Sequence, residues 1–343
     1  MKKFFLSEIY RNTDRFNASI AYKHVEFFLK EKNYLPIYLL YINSTFLFFK
    51  ICRIIHIFLL YLHISKRSIV VLHFPLLPKA FRLLFKALNK KKVYTVAIIH
   101  DINGLRINNS TLLKVELKIL NNFSHIIAHN TAMKDYLFNQ GIVKPITVLN
   151  LFDYKSNVYF KNRSFKKTLI IAANLQKAEF IKLLPEWLNK HNDFIINIYG
   201  QTKDLSESLL NVERLLFKGP EEPEILPDVM EGNFGMVWDG TSLATCKGNY
   251  GDYMRFNTPH KISVFLAAGI PVIVWKESAI ADFIKQYNLG FITSSWDEAA
   301  EIINIMDQHE YYKLSKNAFD MGLKIRSGFF LNQALNEVES TII

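Results

Sequence analysis

The residues able to do chemistry fall into two groups, and the larger lies in the second half of the chain. There, small and polar residues follow short apolar runs: Ala173-Asn174-Leu175-Gln176-Lys177, Tyr199-Gly200, Lys218-Gly219-Pro220 and Trp238-Asp239-Gly240. If those runs are parallel strands, all four tips line one crevice, because open α/β sheets bind ligands outside their carboxyl ends. Asn174 and Lys177 could then reach phosphate oxygens, Tyr199 could stack on a base, and Asp239 could hold a sugar hydroxyl. Turn chemistry alone also accounts for Gly and Asn at such tips. A fifth segment favours binding. The stretch NTPHKISVFLAAGIPVIVW, Asn257 to Trp275, reads as a helix closed by Gly269 and followed by a buried strand. Thr258 is the expected N-cap, with Pro259 at the first helical position. Free N–H groups and the dipole at such a start favour phosphate. Lys261 in the first turn opposes that dipole, so a bound anion is one reason for its presence; an ordinary solvated lysine is the other. The preceding loop, TSLATCKGNYGDYMRFN, is too polar for core and too aromatic for a simple linker. It reads as a ligand-covering loop in which Tyr250, Tyr253 and Asn257 contact a sugar or a diphosphate, or else as plain surface.

The second group lies in the first half. His100-Asp101 closes the run VYTVAIIH, and His129-Asn130 closes SHIIAH. Transfer to a sugar hydroxyl needs a carboxylate or imidazole within hydrogen-bond reach of it. Asp101 is the first candidate for general base, ahead of His100 and His129; a buried histidine bonded to backbone is the alternative.

The elements that must position these groups are legible as alternating strands and helices, hence an α/β fold. A first strand and loop are expected in MKKFFLSEIYRNTDRF, which lacks the features of a signal peptide. Further strands are expected at 69–74, 93–100, 125–129, 168–173, 194–199, 215–218, 234–238 and 272–275. Helices are expected at 18–32, 110–122, 131–140, 279–287 and 296–306, with helical spacing from Glu310 to Ile343. The basic aperiodic segment after Asp153 is the expected linker. Two Rossmann-like domains, 1–155 and 165–325, would face each other across a cleft, and a helix over 326–343 is a candidate to cross back onto the first. No GxGxxG follows a strand and no GxxxxGK[ST] occurs, which weakens a dinucleotide oxidoreductase, an epimerase and a P-loop enzyme.

Charge narrows the partners. Of 343 residues, the first 150 carry 22 Lys and Arg against 7 Asp and Glu, and the remainder 20 against 24. A polyanion or an anionic membrane surface is the expected partner of the basic half. Nucleic acid is not expected, for want of any recognition motif. Cys52 and Cys246 form neither a disulfide framework nor a metal-ligand spacing, which fits a reducing cytoplasm. The apolar stretch from Leu35 to Ile64 is interrupted by Asn43, Lys50, Arg53 and His56, so it should not span a membrane. That stretch and FRLLFKALNKKK, Phe81 to Lys92, read as basic amphipathic helices. Most of their apolar surface is expected to pack on the sheet, with Phe81, Leu84, Phe85 and Leu88 opposite Arg82, Lys86 and Lys90; part could touch lipid at the inner face of the cell membrane.

The segments GNFGMVWDG, CKGNYGDYMRFNTPHKISVFLAAGIPVIVW and AIADFIKQYNLGF resemble the bacterial β-1,6-galactofuranosyltransferases of O-antigen and polysaccharide pathways. More distantly they resemble the streptococcal glucosyltransferase that adds glucose to GlcNAc on serine-rich adhesins. IIHDINGLR and AHNTAMKDYL extend the likeness to the first half. The resemblance implies a GT-B fold, a UDP-sugar donor on the C-terminal domain, and metal-independent transfer, without cofactor, to a glycan or lipid-linked glycan acceptor. It puts Asn174 and Lys177 in the donor loop, Tyr199 and Gly200 by the uridine, and Tyr253, Asn257, His260 and Lys261 at the diphosphate and donor sugar. Lys261 would offset the charge of departing UDP. Ala173 departs from the family's AGN loop, which questions close backbone approach there. A homo-oligomer, and a non-catalytic subunit binding lipid or glycan, remain open.

Overall fold

The computed structural model describes residues 1–7, 19–38, 47–76, 79–157, 161–175, 178–203 and 205–342, with only the backbone of Ser19, 47–50, Arg53 and 79–81. The chain forms two compact units, Met1–Leu149 with Leu331–Ile343, and Asn150–Phe330. Each is built on one six-stranded sheet.

The first unit contains β1 (Lys3–Ser7), β2 (Leu35–Tyr38), β3 (Ile69–Phe74), β4 (Tyr94–Ile99), β5 (His125–Ala128) and β6 (Ile146–Val148). All pair in parallel, in the order β2-β1-β3-β4-β5-β6. Continuous apolar runs explain the central strands: every residue of IVVLHF and HIIA is buried, as a strand covered on both faces requires. The helix Lys79–Lys90 behaves as its sequence directs. Leu84, Phe85 and Leu88 lie in the core, while Arg82, Lys86 and Lys90 are exposed. The helix Leu47–His63 departs from expectation. Ile57 and Leu60 pack on the core, but Ile51, Ile54, Ile55, Phe58, Leu59 and Leu62 face solvent. Its residues are apolar on nearly all sides, and one sheet can cover only one of them.

The second unit contains β7 (Thr168–Ala172), β8 (Ile195–Tyr199), β9 (Leu215–Gly219), β10 (Phe234–Val237), β11 (Val272–Trp275) and β12 (Gly290–Thr293). These also pair in parallel, in the order β12-β11-β10-β7-β8-β9, the doubly wound order of a dinucleotide-binding sheet. The two sheets together give the two-domain, Rossmann-like GT-B fold.

Boundaries shift from the sequence reading. The segment that starts at Asn150 belongs to the second unit because it is tied into it: Tyr154 donates to the Pro223 carbonyl, and Arg163 donates to Ala268 O at 3.1 Å. The expected C-terminal helical tail is two helices, Gln308–Arg326 and Phe329–Ile342. They break at Gly328, whose φ of 73° lies in the left-handed region. Within the first unit the last helix is held by Lys3 to Glu339 at 2.7 Å and Thr147 to Glu337 at 2.7 Å.

Candidate active site

Strand order decides where a ligand can sit. In the second sheet the connection reverses between β7 and β10, and the crevice at such a reversal lies outside the carboxyl ends of those two strands. Ala173-Asn174 follows β7 and Trp238-Asp239-Gly240 follows β10, so the structure brings these two tips together. Asn174 is exposed. Ala173 lies outside the left-handed region, so its backbone needs no glycine. The close approach falls to Gly200 instead, where a Cβ would stand 2.5 Å from the Ala173 carbonyl oxygen. Lys177 lies outside the described residues.

The helix His260–Ala267 starts beside the β10 tip. Its N-cap is Pro259, not Thr258, and no side chain caps it. Thr258 is almost wholly buried and proline has no side-chain acceptor, so this helix starts without the side-chain cap its sequence suggests, with Ile262 N turned back to Pro259 O at 3.1 Å. Lys261 reaches across to the tip: its Nζ donates to Asp239 Oδ1 at 3.0 Å and to Trp238 O at 3.1 Å. Asp239 is therefore first an anchor for this ammonium. Asn257, just upstream, has a buried Oδ1 without a hydrogen-bond partner among the described residues. A buried acceptor left unmet is uncommon and costs about 1–3 kcal/mol, so a hydroxyl from a ligand is a physical reason for it.

Two sequence expectations fail here. Tyr199 is 5% exposed, and its hydroxyl donates to Val229 O at 3.2 Å and accepts from Glu231 N at 3.0 Å. That ring is core, with no face for a base. His260 packs among Phe152 and Tyr154, with ring centroids at 5.8 and 5.2 Å. Burial pushes its imidazole down to about 4, so it is neutral near pH 7 and brings no charge to a diphosphate.

The loop expected to cover a ligand is folded onto the tip. Gly240 has φ of 107°, and a Cβ there would meet Lys247 O at 2.3 Å, so only glycine turns the chain at this point. Trp238 Nε1 donates to Ser242 O at 2.8 Å, and residues Asn249–Tyr253 form a short helix with Tyr253 buried. Tyr253 is thus a packing residue, while Tyr250 is half-buried. Burial pushes the Cys246 thiol up to about 12, which removes it as a nucleophile.

The first sheet reverses between β1 and β3, and a polar cluster sits at that reversal. Ser7 ends β1 and donates to Glu26 Oε2 at 2.6 Å. Glu26 Oε1 lies 3.5 Å from His73 Nε2, and His73 Nδ1 is 2.8 Å from His100 Nε2. Tyr22 stacks on His100 at 4.0 Å. His73, Glu26 and Tyr22 were missed by sequence reasoning; the available signal was a second histidine near the end of a wholly apolar run. His100 Nδ1 is buried and its Nε2 faces His73, so its ring is turned into the protein, away from solvent. The next residue, Asp101, is partly exposed and its Oδ2 accepts from Arg106 at 2.5 Å. Glu116 in turn accepts from the amides of Asn103 and Gly104 at 3.1 and 2.7 Å, fixing the turn that carries Arg106. His129 is excluded as a base: burial pushes it down to about 4, against opposing backbone hydrogen bonds at Ile99 and His100. Asn130 is spent as an N-cap, accepting from Met133 N at 2.9 Å.

Two Rossmann-like sheets, each with polar groups at its reversal, fit the GT-B fold of glycosyltransferases. The chain belongs to the glucosyltransferase 3-like family, whose N-terminal domain model matches residues 3–151 and whose C-terminal domain model matches residues 169–338. It is similar to the β-1,6-galactofuranosyltransferase WbbI of Escherichia coli K12, 29% identical over 279 residues and covering 80% of each chain. It is 28% identical over 258 residues to glucosyltransferase 3 of Streptococcus parasanguinis, covering 74% of this chain and 73% of that one. Among solved structures, Anabaena HepE in complex with UDP and glucose aligns with a TM-score of 0.68 at 16% identity, over 99% of this chain and 100% of that one. Sucrose-phosphate synthase of Thermosynechococcus elongatus aligns with a TM-score of 0.61 at 13% identity, over 89% and 82%.

The two neutral histidines make stability depend on acid. A histidine lowered from 6.5 to about 4 contributes stability that is full above 6.5 and lost as pH falls toward 4. Urea unfolding at pH 5 should therefore show a loss of about 2 kcal/mol per histidine relative to pH 7.5. His260→Asn, which cannot titrate, should narrow the gap between the two pH values; an unchanged gap would remove His260 from the effect.

Proposed function

We propose that the chain transfers a hexosyl group, galactofuranose from UDP-galactofuranose, to a sugar hydroxyl of a growing cell-surface glycan, in the cytoplasm and without a metal. The observation that carries this reading is the Lys261 ammonium held by Asp239 at the reversal of the second sheet, beside a helix start with no side-chain cap. An ammonium has three N–H donors; Asp239 and Trp238 take two, which leaves one for an oxygen of the β-phosphate. UDP departs with negative charge, and a preorganised cation with helix amides is what offsets charge developing in the transition state. Those groups supply the role a divalent cation would otherwise fill. Asn257 and the exposed Asn174 are placed to bind the diphosphate and donor sugar, and Gly200, Gly240 and Pro259 shape the backbone around them. The likeness to WbbI supports galactofuranose.

On the first unit, Asp101 acts as general base toward the acceptor hydroxyl, whether the glycan is free or lipid-linked. Arg106 orients its carboxylate, and the His100–His73–Glu26 cluster holds the strand end that presents it. A second reading is glucose moved from UDP-glucose to a GlcNAc-bearing acceptor; the names of the family model and the streptococcal relatives support its glucosyl part.

A panel of UDP-sugars including UDP-galactofuranose and UDP-glucose, assayed on simple sugar acceptors with and without EDTA, tests both readings. Transfer from the furanose donor, undiminished by EDTA, is expected. Transfer from UDP-glucose alone would favour the second reading, and none from any donor would leave a non-catalytic subunit.

Lys261→Ala is expected to lower kcat on the order of 100-fold with folding intact, comparable to removing one preorganised donor. Wild-type turnover in that variant would take Lys261 out of the reaction.

Asp101→Asn should slow transfer by roughly two to four orders of magnitude while UDP binding, followed by calorimetry, is unchanged. Full rate at every pH tested would send the search for the base elsewhere.

A further inference from the structure

We infer that the exposed face of the Leu47–His63 helix is a docking surface for an anionic lipid bilayer, on which the helix lies in the plane of the interface. The face is continuous. Ile51, Ile54, Ile55, Phe58, Leu59 and Leu62 recur at spacings of three and four, and each is 47–62% exposed. The stripe runs about 16 Å along one side of the helix, opposite Ile57 and Leu60, which pack on the core. Monomeric proteins rarely leave so long an apolar stripe in water without a use for it.

Charge identifies the occupant. Between Glu31 and Asp101 the chain contains 11 Lys and Arg and no Asp or Glu. Part of this charge gathers at the carboxyl end of the stripe. Lys66 and Arg67 are exposed just beyond the helix, and Arg67 N bonds to Lys92 O at 3.3 Å. Lys91 donates to the Tyr61 carbonyl, and its Nζ stands 4.4 Å from the centre of the Tyr61 ring. The neighbouring helix Lys79–Lys90 adds exposed Arg82, Lys86 and Lys90, with Leu83 exposed among them. An apolar stripe with cations gathered at its carboxyl end, in a stretch of sequence without acidic residues, matches a bilayer whose headgroups are anionic and whose interior is apolar. A second copy of the chain on the same face would bring two cationic segments together without a counter-charge, which opposes self-association there. Among the described residues no helix is long and apolar enough to cross a membrane, so the contact is peripheral.

The test needs neither donor nor acceptor, so its outcome is separate from that of the transfer assay. The full chain is sedimented with vesicles of equal parts phosphatidylglycerol and phosphatidylcholine, and with phosphatidylcholine alone. Binding to the anionic vesicles should be roughly tenfold tighter or more, and should fall by at least as much in about 0.5 M salt. The triple variant Ile54→Ser, Phe58→Ser, Leu62→Ser alters only exposed positions; it should keep the wild-type melting curve and lose at least roughly tenfold in affinity for anionic vesicles. Equal binding to both vesicle types, or equal binding by the variant, would overturn the proposal. So would a wild-type dimer that ignores vesicles and becomes monomeric in the variant, which would assign the face to a second copy.

Discussion

A strand paired in parallel on both sides must be covered by helices on both faces, and this requirement governs where anything polar can go in this chain. Among the described residues, all ten strand pairings in the two sheets are parallel. Their interiors, such as IVVLHF and VIVW, are buried throughout. Functional groups are then confined to the strand ends, chiefly those at or next to the point where the winding reverses and the helices diverge. The second sheet reverses at β7 and β10, which is where Asp239 and Asn174 stand; the first reverses at β1 and β3, which is where Ser7 and His73 stand. One topological rule places both clusters.

The Lys261–Asp239 pair shows what that placement does to a side chain. A lysine in a first helical turn is opposed by the helix dipole, and partial burial adds a desolvation cost. Asp239 offsets both, at 3.0 Å. Such a pair adds little net stability, since the gain from attraction is largely spent on desolvation. Its value is geometric: the ammonium is fixed by two acceptors on β10's tip and cannot wander into solvent. A flexible lysine would have to be ordered at the moment of reaction, and that entropy would be charged against the transition state.

The same rule explains which elements were legible. Central strands carry unbroken β-branched and aromatic runs, so β3 and β11 stand where the sequence puts them and their neighbours within a residue or two. The three strands that escaped, β2, β6 and β12, are all sheet edges. Edge strands need burial on fewer sides, are short, and tolerate Pro36 or an opening Gly290. The site was legible in part. Backbone-driven features, namely the tips, the reversal and the helix start, follow from local pattern. Side-chain fates do not: whether Tyr199 offers a ring to a base or a hydroxyl to Glu231 N depends on a contact 32 residues away, which one sequence does not display. His260 is similar, because its neutrality comes from Phe152 and Tyr154, more than 100 residues upstream.

Net charge and local charge answer different questions, and the two units separate them. The first 150 residues are strongly basic, and the remainder carries 20 Lys and Arg against 24 Asp and Glu. A nucleotide diphosphate would nevertheless be expected on the acidic side. The reason is range. At physiological salt the field of exposed charges fades over about 8 Å, so an overall excess of acid hardly reaches a partly buried ammonium and a row of helix amides. A bilayer is an extended surface and responds to the sum of many exposed cations. A diphosphate is a point ligand and responds to two or three groups held in place. The basic excess therefore belongs with the exposed helices of the first unit. The proposed anion site of the second can exist inside an acidic unit because only its nearest groups count.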